Sequence, residues 1–388
     1  MRRDLRPYPH ILRMHVEESS FLWLQWRDQQ ESPAIDRNHT RALERRLGAN
    51  LAALTLDPEG AHRIASENLE LYGGGGEVFV ASWLAILDGS LAQQEDLFRR
   101  FGDGPARNGI LGAVAWSDPV HVRQALPGWV GRGSPEFLEL AVAACLALAI
   151  DPKARLRDLI GAASPRLRAA ALGLAAMLGR VDVAAQVLEA ADDSDPGVAA
   201  QALHAAVLLG MPQAVLPHLT GHALSDDPLS GRSALLLVLA APDREARDRI
   251  KILWQAGAPA QAVRVAALVD GEDVTQWIVR QMSVPDLMLA AGLAFADRFA
   301  LEAAATDLYT SEPKDLESGL ASAVPEDSVD LYPIAGRVKE WLRTHGPREV
   351  QPFRSNRLRM IRCLKDALAA PDTPLVDWTL PTERLPKL

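Results

Sequence analysis

Apolar runs broken by short polar turns fill the middle of this chain. Leu167 to Leu178 is apolar apart from Arg168 and Gly173; Gly179-Arg180 then interrupts it, and a second amphipathic run extends from Val183 to Ala190. Ser164-Pro165 precedes the first run. A hydroxyl at the N-cap accepts from the free N–H groups of the first turn, and a proline at the first helical position has no N–H to leave unpaired. Asp182 stands before the second run as a cap would. The pattern predicts two helices of roughly 10–14 residues joined by a tight turn. Ser134-Pro135, Asp195-Pro196 and Asp227-Pro228 repeat the first start signal. Asp118-Pro119 and Asp151-Pro152 repeat the second, Asp243 and Asp270 sit at similar offsets, and Gly210-Met211-Pro212 takes that place after Pro196.

The prolines keep time. Pro105, Pro135, Pro165, Pro196, Pro228, Pro259 and Pro285 are separated by 30, 30, 31, 32, 31 and 26 residues. Such a period marks a tandem-repeat solenoid, in which each unit stacks only on its neighbours. Helical pairs of this length suggest the HEAT class, and the sequence signatures of other helical repeats do not occur. The expected fold is all-α, a right-handed solenoid of HEAT-like hairpins. Helical pairs over 1–104 cap it, the array of period about 31 covers 105–308, and basic helices with a proline-punctuated tail occupy 309–388. First helices are rich in alanine, as in Ala169 to Ala171, Ala175 and Ala176, which favours the helix and lets neighbours approach closely. Leu140 to Ile150 is apolar on every face, as for a helix held between two repeats, and its 11 residues are too few to cross a bilayer.

Ahead of the array, Ile11 to Gln29 reads as a helix whose apolar face carries Ile11, Leu12, Met14, Phe21, Leu22, Leu24 and Trp26. A helix from about Arg37 to Leu56 follows, and residues 58–101 read as two more, separated by Tyr72 to Gly76 and followed by the Asp88-Gly89 turn. Residues 310–333 are loop-rich and precede two basic helices, over 334–345 and 355–369.

Composition adds little to this picture and excludes some alternatives. At 48% hydrophobic and 23% charged, 388 residues suffice for a large core, and strand-like alternation is nearly absent. Two cysteines, Cys145 and Cys363, build no disulfide framework or zinc spacing, which suits a reducing compartment; no apolar export signal opens the chain, so the cytoplasm is expected. Net charge is −9, yet the segment from Arg337 to Lys365 holds nine Lys/Arg against Glu340 and Glu349, a balance of +7 that leaves −16 elsewhere. Acids gather in turns: Asp192, Asp193, Asp226, Asp227, Asp270 and Asp273. Aligned turns would set them along one edge, either as soluble caps or as a stripe for a basic partner, the basic C-terminal segment included.

No catalytic signature stands out. Gly73 to Gly76 lacks the preceding strand and the Gly-Lys-Ser/Thr ending of a phosphate loop and reads as an inter-helix hinge. His15, Glu17 and Glu18 share a helix without metal-ligand spacing and read as a surface network, so neither a metal nor a cofactor is expected. A basic helix bearing Arg354, Arg357, Arg359, Arg362 and Lys365 could meet phosphates, but the acidic remainder opposes a polyanion, and a salt-bridged cap is the preferred reading. Nine tryptophans are many for such a chain, and Trp116 and Trp254, near turns, are candidate anchors for a protein partner. A helical-repeat enzyme or nucleic-acid module is the competing class.

The segments His10 to Glu18, Phe21-Leu22-Trp23-Leu24, Arg41 to Leu47 and Gly76 to Val80, with Arg357 to Arg362, resemble an uncharacterised bacterial family of HEAT-like proteins. The resemblance is best over residues 9–100. Members are often encoded among type VI secretion genes, which implies a protein that binds a secreted effector, as an immunity protein or loading adaptor. The resemblance assigns no site residues.

Overall fold

Proline placement governs where helices begin. In the computed structural model, which describes residues 8–345 except 32–36, 225–229, 240, 242, 300, 302, 304, 305, 326, 327 and 329, eight α-helices start on a proline. These are α1 (Pro9–Glu31), α3 (Pro58–Leu71), α7 (Pro119–Arg132), α8 (Pro135–Leu148), α10 (Pro165–Leu178), α12 (Pro196–Leu208), α13 (Pro212–Ala223) and α16 (Pro259–Val265). Side chains of Asp57, Asp118, Ser164 and Asp195 accept from the first-turn N–H groups of Gly60, Val120, Leu167 and Val198, as their sequence positions predict. Pro105 lies in the turn before α6 (Arg107–Trp116), Pro285 opens a short tight turn ahead of α18 (Met288–Phe299), and Pro228 lies outside the described residues.

Four expected caps turn out differently. Ser134 makes no capping bond with its side chain. Asp151 accepts the N–H of Lys153 at 2.8 Å, and α9 begins only at Arg155 (Arg155–Ile160). Asp182 falls inside the single 3-10 turn Val181–Val183 that leads into α11 (Ala184–Glu189). Gly271 rather than Asp270 caps α17 (Glu272–Gln281). In each of the three acidic cases, a nearby arginine offers the carboxylate a charge-assisted partner that the first turn of a helix cannot match.

The remaining elements are α2 (Arg37–Leu54), α4 (Gly75–Leu87), α5 (Leu91–Phe101), α14 (Ser230–Leu239), α15 (Asp243–Gln255), α19 (Ser318–Ala321) and α20 (Ala335–His345). Residues 58–101 thus hold three helices instead of the expected two, because Asp88-Gly89-Ser90 is a turn with an N-cap serine opening α5. The architecture is all-helical and repeat-like. Its one β element among the described residues is the antiparallel pair β1 (Tyr309–Thr310) and β2 (Tyr332–Pro333), inside the stretch read as loop.

Among the described residues the chain divides into two compact units, principally residues 8–29 with 38–186, and residues 187–345, so the division falls within the expected array at Gln186–Val187. In the first unit α4 packs on α6, α6 on α8 and α8 on α10. In the second unit α12, α14, α16 and α18 follow one another in the same way. Helices covered on two sides need small or wholly apolar surfaces. Leu140, Ala141, Val142, Ala144 and Cys145 of α8 are buried, as are Ala234, Leu235, Leu236 and Leu237 of α14. Where α4 meets α6 the approach is closer still: a Cβ on Gly109 would collide with the carbonyl of Gly75 and lie 2.7 Å from the N of Phe79. Polar groups on these helices find partners about one period away. Arg107 of α6 pairs with Glu139 of α8, and Arg264 of α16 pairs with Asp297 of α18, all four largely buried.

The apolar residues of α1 split between two faces. Leu12, Val16, Leu22 and Trp23 enter the core with Ser19 and Ser20, whereas Ile11, Met14 and Phe21, expected on the same buried face, are 36%, 51% and 54% exposed. In the second unit α20 docks through Trp341, whose ring lies 5.8 Å from Phe295 and 5.3 Å from Phe299 of α18. The second basic helix and the tail lie outside the described residues.

Two outcomes test this packing. Ala149 ends α8 in the left-handed region at φ 51°, where Gly179 (φ 65°) and Gly210 (φ 85°) stand after α10 and α12. Replacing Ala149 by glycine removes Cβ strain, and a gain of about 1 kcal/mol in urea unfolding is expected. Arg107→Met strands a buried carboxylate and is expected to cost about 3–5 kcal/mol, while Arg107→Met with Glu139→Leu restores most of the loss; the same unfolding measurement decides.

Candidate interaction surface

Trp254 stands near the end of α15, where the polypeptide turns toward α16. Its ring is 40% exposed and meets the half-buried ring of Trp277, on α17, at 67° with centroids 5.4 Å apart. Edge-to-face contact fixes two aromatic side chains without using up their outer surface. Lys251, three residues before Trp254, is exposed and bonds Asp248 at 2.9 Å, and Arg280, three residues after Trp277, is exposed. Aromatic surface rimmed by charged side chains results, all within the second unit. Trp277 escaped sequence reasoning, since a tryptophan inside an amphipathic run reads as core; its place on a second helix, like that of Trp254, was the available signal.

Trp116 behaves otherwise. It is half-buried, packs edge-on against Trp26 at 5.3 Å, and its carbonyl accepts from Nε1 of Trp83 at 3.2 Å. It serves the interior of the first unit.

The turn acids are engaged within the molecule. Arg247 grips both carboxylate oxygens of Asp273 at 2.6 and 3.0 Å and also donates to the carbonyl of Asp270 at 2.9 Å. The hydrogen bonds from Arg247 hold the Asp273 carboxyl below the usual range. Arg298 donates to the carbonyls of Val269 and Gly271 at 2.5 and 3.0 Å and lies 3.8 Å from the Asp270 carboxylate. Asp270 and Asp273 are therefore brought together around two arginines. Asp192 is exposed and faces Nε2 of His218 at 3.2 Å, and Asp193 accepts the N–H of Asp195 at 2.9 Å. Asp226 and Asp227 lie outside the described residues, as do Arg354, Arg357, Arg359, Arg362 and Lys365.

A matching arrangement occupies the first unit. Arg180 links Asp151 to Asp182, with its Nε 2.6 Å from Asp182, and Arg157 donates to the Asp182 carbonyl at 3.2 Å. Chiefly through the Arg180 hydrogen bond, the Asp182 carboxyl is held down at about 2.

The other candidates resolve into structure. Nδ1 of His15 meets Oδ1 of Asn50 at 2.7 Å, and Glu18 pairs with Arg46 at 3.1 Å. The glycine quartet is more than a hinge: Gly73 turns the chain at φ 59° and Gly74 caps α4, but Gly75 and Gly76 are helical. A Cβ on Gly76 would lie 2.5 Å from the Ser20 carbonyl oxygen, so glycine there permits α1 and α4 to touch. Among the described residues no three His, Cys, Asp or Glu side chains are grouped to hold a metal ion, and no single helix is long and apolar enough to cross a membrane.

The fold and surface place the chain in the class of all-helical, repeat-like proteins. No family model, no curated protein and no solved structure matches it.

A carboxyl whose folded value lies below its unfolded one stabilises above the unfolded pKa, near 3.9, and loses that contribution as pH falls through the folded value. For Asp182 the window runs from about pH 4 down to about 2. Carbon-13 NMR of the Asp182 carboxyl is expected to show a midpoint near 2, moving to about 4 in Arg180→Gln.

Proposed function

We propose that this chain is a non-enzymatic recognition protein, a right-handed solenoid of HEAT-like hairpins that binds another protein through the aromatic surface of Trp254 and Trp277. One observation carries the reading: Trp254 keeps 40% of its surface exposed while its ring is already fixed against Trp277. A pre-ordered tryptophan loses little freedom on binding and buries a large apolar area, the properties of an interface hot spot. The pairing of Asp273 with Arg247 favours this surface over an acidic stripe, because a basic partner would have to displace a bidentate arginine.

The partner is a type VI secretion effector, and the chain acts on it in the cytoplasm as an immunity protein or loading adaptor. The resemblance of residues 9–100 to a HEAT-like family encoded among such genes supports that choice of partner.

The test is co-purification of the full chain with the products of the genes beside its own, followed by calorimetric titration. A stable complex is expected. Trp254→Ala is expected to weaken it by about 2 kcal/mol, roughly 30-fold in Kd, with the helical circular dichroism spectrum retained. Failure of every adjacent product to bind overturns the effector assignment, and a complex indifferent to Trp254→Ala overturns the assigned surface.

A further inference from the structure

The outward face of α1 is apolar where a terminal helix is ordinarily polar. His10, Met14, Glu17 and Phe21 follow one another at steps of 4, 3 and 4 residues, so they form one stripe, and all four are exposed. Ile11 flanks it, and Tyr8, 71% exposed, precedes it. Between this stripe and α3 lies an open groove of about 320 Å³ of mixed character, lined by Pro9, Met14 and Ile64 together with His10, Arg13, Glu17 and Arg63. Phe21, seven residues beyond Met14 on α1, stands outside the groove lining as a projecting ring, 54% exposed. At 1.5 Å per residue it is roughly 10 Å along the helix from Met14. A projecting apolar ring and a groove of mixed character thus share one face of one helix.

Charge along the stripe is polarised. His10 lies toward the N-terminal end of α1 and Glu17 toward its middle, both exposed, while the flanking Arg13 and Glu18 are held within the molecule by Glu67 and Arg46. A second α1 laid alongside in the parallel sense would set like charges together. Laid antiparallel, with the two-fold axis near Met14, it sets each Phe21 at the Tyr8 end of the other helix, over the groove, and brings Glu17 opposite His10. An isologous contact of this kind satisfies both copies at once. Antiparallel helix dipoles also attract, and exposed phenylalanine and methionine leave water together.

We infer that the outer face of α1 is a self-association surface, occupied by α1 of a second copy in antiparallel orientation about a two-fold axis near Met14. The contact centres on one helix from each copy, with the α3 side of the groove at its border, so it belongs with small interfaces and dissociates in the micromolar range, on the order of 1–100 µM. This inference does not depend on the Trp254 surface.

Sedimentation equilibrium of the full chain over a wide concentration range tests it. A monomer–dimer equilibrium is expected, weakened at least tenfold by Phe21→Glu and by Met14→Glu. Both side chains are exposed, so the circular dichroism melt is expected to match the parent chain. Orientation is tested by charge exchange: Glu17→Arg weakens association, and adding His10→Glu recovers most of it. A chain that stays monomeric at several hundred micromolar overturns the proposal. A dimer untouched by Phe21→Glu, or charge exchange without recovery, overturns it equally.

Discussion

Each inner first helix in either unit is covered on two sides by its predecessor and its successor, and this double burial constrains everything else. A helix so placed has no face to give to water. Its residues must be small enough for two neighbours, as in the buried Ala141 and Ala144 of α8 and Ala234 of α14, or absent altogether as side chains, as at Gly109 against α4. A polar group that enters the stack must find its partner on an adjacent helix, because burial without one leaves a full desolvation penalty. Arg107 with Glu139, 32 residues apart, meets that demand across one period. Arg264 meets it in part: one terminal nitrogen reaches Asp297, 33 residues on, while Nε and the other terminal nitrogen are buried without a hydrogen-bond partner among the described residues. Period in the sequence and pairing in space are one requirement.

Burial of the first helices also decides where recognition can reside. Side chains that could meet a partner must come from second helices, from turns, or from the end of the stack. Turns are taken up by their own arginines, since Arg180 and Arg247 each draw turn carboxylates to themselves. What is left is aromatic and apolar: Trp254 beside Trp277 on the second helices of one unit, and Met14 with Phe21 on the first helix of the other. The two surfaces belong to different units.

Local chemistry made the helices legible. Proline and a capping oxygen act within one turn, so Pro119, Pro135, Pro165, Pro196, Pro212 and Pro259 mark helix starts in the sequence as they do in space. Ser164 and Asp195 bond where their positions predict. Misreadings arise where a distant partner outbids the local one. Asp182 resembles a cap until Arg180 and Arg157 are folded around it. The apolar residues of α1 resemble one face until α4 approaches through Gly76, which selects the Leu12, Val16 and Trp23 side for the core and leaves Met14 and Phe21 outside. The Asp88 turn was visible, but α5 behind it is short and strongly polar, and its Leu97 and Phe98 enter the core only through tertiary contact.

Charge bookkeeping from sequence overstates what a partner would feel. The formal −9 counts Asp273 and Asp182 as available anions, although each is held by an arginine that also binds backbone carbonyls of the neighbouring turn. A guanidinium so engaged is a structural tie between consecutive repeats. Drawing it off toward a ligand would loosen the tie as well as expose the acid. Exposed ion pairs are individually weak, yet here the arginine is shared among carboxylate and carbonyl oxygens at once, so displacement must replace several bonds together. An aromatic ring faces no such competition. Trp254 needs only to shed water from its open side, and the contact with Trp277 that orders it survives binding intact. That asymmetry in what must be broken is why the proposed contact falls on the second-helix tryptophans and not on the acidic turns, which are tied to neighbouring turns.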